Sequence, residues 1–172
     1  MGVLVKKFAF MWCLLLCFVS PALAMNKNDI APTFSLRDSN NKNFFLSDYV
    51  GPKKKPGTKG LILSFFASYC EPCKRELPIL NSLVEEFEKK GIKIVIVGFK
   101  EDFDKISGML EEVKVDKPIV LSDTYGKVGQ KYGVTGLPRM FFIGADGRVK
   151  DVLINADNLE KVIREKAGKL VR

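Results

Sequence analysis

The chain has 172 residues, with 28 Lys or Arg, 20 Asp or Glu and no His, and its formal charge is +8. This length allows one domain with a core of its own. The absence of histidine excludes Cys-His and Ser-His nucleophile systems and zinc sites that need an imidazole ligand. The sequence has no P-loop and no Gly-x-Gly-x-x-Gly fingerprint. It also has no basic stretch interleaved with aromatic residues, so no nucleic-acid partner is expected.

Residues 1–24 have the organisation of a signal peptide. A basic region with Lys6 and Lys7 precedes an unbroken apolar run over residues 8–19, and residues 22–24 form a small-x-small cleavage site. The apolar run is short for a membrane span, which favours a cleaved signal. An uncleaved N-terminal anchor is the alternative. The sequence thus predicts one mature domain over residues 25–172, in the periplasm or another extracytoplasmic compartment.

Cleavage would remove Cys13 and Cys17 and leave a charge of +6 with two cysteines, Cys70 and Cys73. Disulfides persist in exported proteins. Cysteines this close cannot close a long loop, so a structural disulfide framework is a poor explanation for the pair. Lys74 follows the second cysteine, and the sequence therefore lacks the Cys-x-x-Cys-His motif of covalent haem attachment.

The N-terminal part of the mature chain predicts a β-hairpin. Residues 31–36 alternate in polarity as a half-buried strand does, residues 38–43 form a turn cluster, and residues 44–46 supply the partner strand. A short helical turn over residues 47–49 leads into a lysine-rich segment over residues 51–60.

The lysine-rich segment contains Lys53, Lys54, Lys55 and Lys59 among glycines and prolines. A solvated loop is the simplest interpretation of such a charge run. The alternative is a patch that meets an acidic partner or an anionic membrane surface.

Residues 61–66 are nearly all apolar, which is typical of a central strand buried on both faces. An amphipathic helix is predicted over residues 72–90, with Pro72 in its first turn and Gly91 at its end. Pro78, inside this helix, is expected to kink it.

The rest of the chain continues the alternation of strands and helices. Strands are predicted at residues 92–97 and 118–121, a hairpin at 139–153, and helices at 102–113, 123–132 and from about Asp157. This order predicts an α/β fold with a central mixed β-sheet flanked by helices, and with the first hairpin as an N-terminal extension.

Cys70 and Cys73 lie where the buried strand ends and the long helix begins. Two cysteines spaced i, i+3 can form a disulfide without movement of the backbone. The partial positive charge and unpaired N–H groups of a helix N-terminus favour the thiolate, which is the reactive form. The spacing therefore predicts a dithiol–disulfide redox centre, and neither a cofactor nor a bound metal is expected.

A second element, Gly136-Leu137-Pro138, lies at the entry to a core strand. Proline cannot donate a ladder hydrogen bond, and after a glycine-containing turn it can be cis and leave the neighbouring backbone free. We predict a cis Leu137–Pro138 bond packed against Cys70 and Cys73, with a backbone edge that can pair with an extended substrate segment. A trans turn proline is the alternative.

Four motifs occur in order along nearly all of the mature chain. They are Ala31-Pro32-x-Phe34-x-Leu36, Leu46-Ser47-Asp48-Tyr49, Phe66-Ala67-Ser68-Tyr69-Cys70-Glu71-Pro72-Cys73, and Gly133-Val134-x-Gly136-Leu137-Pro138 followed by Asp146-Gly147. Together they resemble the TlpA/ResA-type proteins, which are exported or membrane-anchored thiol–disulfide oxidoreductases, and the resemblance implies a thioredoxin-like fold. The Cys-Glu-Pro-Cys form is similar to that of the ResA branch, whose members reduce apocytochrome c before haem attachment.

The resemblance implies catalytic roles for four residues. Cys70 would be the attacking thiolate, Cys73 the resolving thiol and Pro138 the cis-proline beside them. Glu101 falls near a glutamate implicated in acid–base work in the ResA branch, although a solvated helix start is the alternative for it. The candidate substrate-binding residues surround the cysteines and are Glu71, Pro72 and Leu137.

Two positions, Tyr69 and Arg139, depart from the family pattern, and Ser64 departs only from that of classical thioredoxins, whose aspartate ResA-type proteins also lack. Tyr69 precedes the first cysteine where the family usually has tryptophan, and Ser64 stands where thioredoxins have a buried aspartate. Arg139 follows the proline where the family favours threonine. If Arg139 points at the site, it would favour the Cys70 thiolate further; the alternative is an arginine that faces water.

These observations predict a monomeric thiol–disulfide oxidoreductase that reduces disulfides of extracytoplasmic proteins, apocytochrome c among the candidates, and is re-reduced by a membrane electron donor. Glu71 disfavours a neighbouring thiolate, which favours a reductant over a strong oxidant. Three alternatives stay open. They are a disulfide-forming oxidant, a peroxiredoxin-like peroxidase, for which Ala67 replaces the expected threonine, and a Cu(I)-binding chaperone, which the lack of histidine disfavours.

Overall fold

The computed structural model describes residues 24–171, so the predicted signal peptide, apart from Ala24, lies outside the described residues. The strands are β1 (Ser35–Arg37), β2 (Asn43–Phe45), β3 (Gly60–Phe66), β4 (Ile92–Phe99), β5 (Ile119–Asp123), β6 (Arg139–Gly144) and β7 (Val149–Leu153). The helices are α1 (Glu71–Lys89), α2 (Phe103–Glu112), α3 (Lys127–Lys131) and α4 (Leu159–Gly168), and a 3₁₀ turn covers Leu46–Asp48. Within the described part of the chain, no helix is both long and apolar enough to cross a membrane.

Five strands form one mixed sheet in the order β5-β4-β3-β6-β7. β3, β4 and β5 are parallel, whereas β6 runs antiparallel to both β3 and β7. A parallel pair needs a long crossover connection, and α1 supplies it between β3 and β4. The predicted α/β fold with a central mixed sheet is confirmed.

The predicted N-terminal hairpin is also confirmed, and it forms a separate two-stranded sheet. Ser35 pairs with Phe45 and Arg37 with Asn43 in an antiparallel ladder. A single bridge from Asp38 to Leu121 ties the hairpin to the edge strand β5 of the main sheet. This contact covers part of an edge that would otherwise offer free backbone groups to another chain.

Helix α1 begins and ends close to where its sequence predicts. Pro72 occupies its first turn, where a missing N–H costs nothing, and Pro78 lies inside it without ending it. Gly91 follows the helix with a φ of +77°, and a Cβ there would lie 2.3 Å from the carbonyl oxygen of Gly57. Glycine is required at this position for two reasons. A residue with a side chain is strained at this positive φ, and its Cβ would clash with the carbonyl oxygen of Gly57.

One predicted boundary was wrong, and another is shifted by two residues. Asp123 was expected to open a helix, but it ends β5, where it pairs with Phe99, and α3 begins only at Lys127. The buried Asp123 carboxylate accepts a 2.8 Å hydrogen bond from the backbone N–H of Gly129, so it holds the short helix from outside. The last helix begins at Leu159, two residues later than predicted, after Asn158 at a φ of +53°.

The sheet separates two apolar layers. Alternate side chains of β3 point to opposite faces, so Ile62 and Phe66 pack with α1 and α4, while Leu63 and Phe65 pack under the N-terminal hairpin and α3. All seven residues of β3 are buried, which confirms the prediction of a central strand covered on both faces.

Tyr132 is the centre of the second apolar layer. Its ring lies 5.1 Å from that of Phe141, 5.7 Å from Phe65 and 6.0 Å from Phe34. The buried hydroxyl donates a 3.0 Å hydrogen bond to the backbone carbonyl of Pro32. One side chain therefore joins the main sheet to the segment that leads into the hairpin.

Candidate active site

Cys70 and Cys73 are joined by a disulfide at the point where β3 gives way to α1, with their Cα atoms 5.2 Å apart. Cys70 is the N-cap residue of α1, and its sulfur accepts a 3.3 Å hydrogen bond from the Cys73 backbone N–H. An N–H donor and the positive end of the helix dipole both favour negative charge on this sulfur after reduction. The predicted dithiol–disulfide centre is therefore formed.

The two sulfurs differ in access. Cys70 is 6% exposed and lines a surface groove, whereas Cys73 is 1% exposed and packs in the apolar layer under α1. A substrate sulfur that enters the groove meets Cys70 first. Cys73 can then reach only the sulfur of Cys70, which is the arrangement that a resolving thiol needs.

The groove is shallow and has a volume of about 500 Å³. Its walls come from the start of α1, the end of β4 and the loop before β6, and the residues that line it are Tyr69, Cys70, Glu71, Pro72, Phe99, Thr135, Gly136 and Leu137. All three predicted substrate-binding residues are in this set. Tyr69 is 72% exposed, so its ring stands at the rim of the groove.

The Leu137–Pro138 peptide bond is cis, as predicted. Pairing of β6 with β3 begins only at Arg139, which lies opposite Phe65. The backbone groups of Gly136 and Leu137 make no hydrogen bond to a described residue. The groove therefore presents a short unpaired backbone edge beside Cys70, suited to an extended peptide.

Phe99 forms the inner wall of the groove. Its ring packs against α3, where a Cβ at Gly129 would lie 2.3 Å from the Phe99 ring. The ring of Phe65 also meets the Phe99 ring edge-on, at a centroid distance of 6.3 Å. The position of this wall is thus set by residues that do not line the groove.

Glu76 is a buried acid of the site that the sequence analysis missed. It lies one helical turn after Cys73 on the buried face of α1 and is only 4% exposed. Its carboxyl accepts a 2.7 Å hydrogen bond from the hydroxyl of Ser64, the residue at the thioredoxin aspartate position. Burial raises the pKa of the Glu76 carboxyl to about 7, although the hydrogen bond from Ser64 opposes this.

A signal for Glu76 was present in the sequence. The apolar stripe of α1 includes Cys73, Leu77 and Leu80, and a residue three positions after Cys73 falls on the same face. A single acid on an otherwise apolar stripe is expected to be buried and to need a partner. Ser64, on the neighbouring strand β3, is that partner.

Glu101 is buried rather than solvated, so the alternative interpretation of a solvated helix start was wrong. Both its carboxylate oxygens accept 2.6 Å hydrogen bonds from Ser68, one from the backbone N–H and one from the hydroxyl. Asp102, not Glu101, caps α2, because its side chain accepts from the Lys105 N–H. Glu101 therefore holds the loop two residues before Cys70.

Arg139 does not point at the cysteines. It shares a face of β6 with Phe141, and its guanidinium lies 5.8 Å from the centre of that ring. Cys70 and Cys73 pack on the opposite face. The side chain is half-buried rather than facing open water, and its Nε has no hydrogen-bond partner among the described residues.

A larger cleft of about 750 Å³ lies between the N-terminal hairpin and α3, and it contains no thiol. Among the described residues, no group of three or more His, Cys, Asp or Glu side chains is arranged to hold a metal ion. The redox chemistry of the described chain is thus located at Cys70 and Cys73 in the smaller groove.

Comparison with known proteins agrees with this site. A family model described as the AhpC/TSA family matches residues 28–152. The thiol-disulfide oxidoreductase ResA of Bacillus subtilis is 34% identical over 130 residues, which cover 76% of this chain and 68% of that protein. The ResA of Geobacillus thermodenitrificans is 31% identical over 145 residues, covering 84% and 79%.

Solved structures show the same fold. A Chlorobium tepidum protein described as a thiol:disulfide interchange protein DsbE superposes with a TM-score of 0.75 at 25% identity, covering 87% of this chain and all of that one. The peroxidoxin BcpB of Mycobacterium tuberculosis reaches a TM-score of 0.67 at 23% identity, which shows the fold alone. With its Cys70–Cys73 pair, the chain belongs to the AhpC/TSA family of thioredoxin-like proteins and is a thiol–disulfide oxidoreductase similar to ResA.

Proposed function

We propose that this oxidoreductase acts as a reductant of disulfides in extracytoplasmic proteins. The observation that carries the proposal is the pairing of a groove-lining Cys70 with a buried Cys73 beside an unpaired backbone edge. An attacking sulfur that lines a groove, a more deeply buried resolving sulfur and space for a peptide are what disulfide exchange with a protein requires.

The exchange runs in two displacement steps. The Cys70 thiolate attacks one sulfur of the substrate disulfide, forms a mixed disulfide and releases the other substrate sulfur as a thiolate. Cys73, after losing its proton, attacks the Cys70 sulfur, which forms the Cys70–Cys73 disulfide and releases the second substrate thiolate. Two electrons pass from the protein to the substrate, and the released thiolates take up the two protons of the original thiols.

We propose that Glu76 is the general base that accepts the proton of the Cys73 thiol. The carboxyl lies one turn along α1 from that thiol, is buried with it and has a pKa of about 7, so it can accept a proton near neutral pH. Replacing Glu76 with Gln should slow resolution of the mixed disulfide by about 100-fold or more while leaving the first attack by Cys70 nearly unchanged. Stopped-flow measurement of both steps with a model peptide disulfide separates them.

Two acidic side chains support the reducing direction. Glu71 is adjacent to Cys70, and the buried Glu76 lies behind Cys73. The negative charge of Glu71, and that of Glu76 once it has lost its proton, disfavours a nearby thiolate and so stabilises the disulfide relative to the reduced protein. Strong oxidants of this fold have the opposite bias, since their reduced form is the stabilised one.

The potential of the Cys70–Cys73 pair tests the direction. Equilibration with a dithiol buffer should give a value nearer to about −270 mV than to about −120 mV, the respective ranges of thioredoxin and of the strong oxidant DsbA. A value in the oxidant range would overturn the proposal and leave a disulfide-forming enzyme.

The substrate class is proposed from the similarity to ResA, whose branch reduces apocytochrome c, together with the signal-like residues 1–24. A membrane protein would then return electrons to the disulfide. A Cys73→Ser variant should trap the physiological substrate as a mixed disulfide on Cys70, and Cys70→Ser is the matched control. Capture of apocytochrome c by the first variant alone supports the assignment, whereas a broad set of exported proteins would replace it with general thiol repair.

A peroxidase is the competing activity, because a solved peroxidoxin has the same fold as this chain. Ala67 lies three residues before Cys70, where a peroxidase would place a threonine, and it is fully buried in the apolar layer. We expect no turnover of hydrogen peroxide with a thiol donor. Steady-state peroxide consumption that depends on Cys70 would contradict this.

A further inference from the structure

The net positive charge of residues 25–172 is concentrated at the end of the sheet opposite the cysteines. Backbone hydrogen bonds join four segments there: Lys59 N–H to the Gly91 carbonyl, Ala145 N–H to the Lys59 carbonyl, and Asn28 N–H to the Val149 carbonyl. We call this surface the basic end and define it as residues 26–30, 51–59, 88–93 and 145–150.

The basic end holds most of the charge asymmetry of the domain. Its four segments contain ten Lys or Arg and three Asp or Glu, a net charge of +7, whereas the other residues of 25–172 contain 16 and 17 and sum to −1. Asp48 and Glu86, just outside the segments, pair with Lys55 and Lys90 and reduce the local excess to +5. A solvated lysine loop alone does not explain this, since three other segments add cations to the same surface.

Several of these cations are available to an outside partner. The side chains of Lys53 and Lys59 are exposed and that of Lys54 is partly exposed, and none of the three forms an ion pair with a described residue. They are spread over loops rather than arranged around a cavity. A broad, flat anionic surface fits this arrangement better than a small ligand does.

The path of the chain favours a membrane over an acidic protein. Met25 is buried in the second apolar layer and Asn28 pairs with Val149, so the segment that follows the apolar run of residues 8–19 enters the domain at the basic end. A bilayer that contacts residues 8–19 would therefore lie next to the cations of the basic end. Cys70 lies at the far end of β3, roughly 20 Å away along seven residues, so a protein held at the basic end would not be the substrate of the groove.

We propose that the basic end docks on a bilayer surface rich in anionic phospholipid headgroups and thereby directs the Cys70 groove away from the membrane. The proposal is independent of the direction in which Cys70 and Cys73 transfer electrons. It accounts for the lysine-rich loop, which the redox chemistry does not use.

The proposal is tested by measuring how fast individual lysines are acylated in the presence of vesicles, with mass spectrometry as the readout. The protein used is the form that accumulates when the full chain is expressed. The probe surface is vesicles of equal parts phosphatidylglycerol and phosphatidylcholine, with pure phosphatidylcholine vesicles as the neutral control. The reference lysines are exposed residues at the start of α2, α3 and α4, at the cysteine end, namely Lys105, Lys127 and Lys161. Comparison within one molecule works whether or not residues 1–24 are retained.

Lys53, Lys54 and Lys59 should lose reactivity several-fold relative to the reference lysines on the anionic vesicles, and not on the neutral ones. About 0.5 M NaCl should reverse the protection because the Debye length shrinks to a few ångström. Equal reactivity of both sets on anionic vesicles overturns the proposal, as does equal protection on neutral vesicles. Protection by polyglutamate but not by vesicles would replace it with an acidic protein partner.

A matched pair of variants removes three charges from each end. K53Q/K54Q/K59Q should reduce the protection of Lys89, which both variants retain, by at least about fivefold, since each cation near an anionic surface contributes roughly that factor. K105Q/K127Q/K161Q should leave it unchanged. Equal effects of the two variants would show that net charge, and not the basic end, governs binding.

Discussion

At the scale of single residues, Glu76 links the redox site to the stability of the fold. Its carboxyl is buried against Ser64, and burial raises its pKa from 4.5 to about 7. Below about pH 4.5 the group is protonated in both the folded and the unfolded chain. Between about pH 4.5 and 7 the unfolded chain loses this proton while the folded protein keeps it, so the stability of the fold decreases as the pH rises.

The Glu76→Gln variant should remove this pH dependence. The free energies of unfolding of the variant and of the unchanged protein should be similar at about pH 4.5, and the variant should become more stable by on the order of 3 kcal/mol by pH 8. Urea denaturation of the disulfide form at a series of pH values measures the difference. An unchanged difference across this range would show that Glu76 ionises freely in the folded protein.

The sequence predicts the reactive cysteines better than it predicts whether a polar side chain points to the protein interior, the active site or solvent. The sequence predicted Cys70 and Cys73 because their role follows from spacing and position at a helix start. Glu101 turns inward because Ser68, 33 positions earlier, offers two donors, and no local pattern contains that pairing. Arg139 turns away from the cysteines because strand alternation places it with Phe141.

At the scale of secondary-structure elements, the bounds of the long central segments were predicted closely, whereas those of the short helix α3 were not. β3 and α1 have long, regular apolar patterns, and their bounds agree with prediction within a residue or two. A helix was predicted from Asp123, but ladder pairing of Asp123 with Phe99 takes precedence and leaves a helix of five residues. Pairing with a distant strand cannot be predicted from the residues next to Asp123 in the sequence.

The end of α1 gives an element-scale prediction. Gly91→Ala should destabilise the protein by at least about 2 kcal/mol, because alanine is strained at a positive φ and its Cβ would lie 2.3 Å from the Gly57 carbonyl oxygen. Gly108→Ala is the matched control, since it lies inside α2 with open space around it. That change should stabilise the protein by about 0.5–1 kcal/mol, and thermal or urea unfolding compares the two.

At the scale of the whole molecule, the hairpin and the main sheet depend on Tyr132 for part of their connection. Tyr132→Phe keeps the ring contacts but leaves the carbonyl of the half-buried Pro32 without its donor. The expected loss of stability is about 0.5–1.5 kcal/mol. Tyr125→Phe, at a position that is 83% exposed, should change stability by less than about 0.5 kcal/mol.

Amide hydrogen exchange shows where the Tyr132→Phe effect falls. Faster exchange is expected in β1 and β2 with little change in β3, because the lost bond holds only the segment before the hairpin. Uniform acceleration over the whole sheet would mean that the hairpin and the sheet unfold as one unit.

The two walls of the groove differ in how far they can yield. The Phe99 ring packs on Gly129 with no room for even one methyl group between them and contacts Phe65 edge-on, so this wall has little freedom to move when a substrate enters. Across the groove, a Cβ at Gly136 would meet nothing within 4 Å, and Tyr69 is largely exposed. Substrates of different size must therefore be accommodated on the side of Gly136 and Tyr69. The Phe99 wall keeps its position and aligns each incoming disulfide with Cys70.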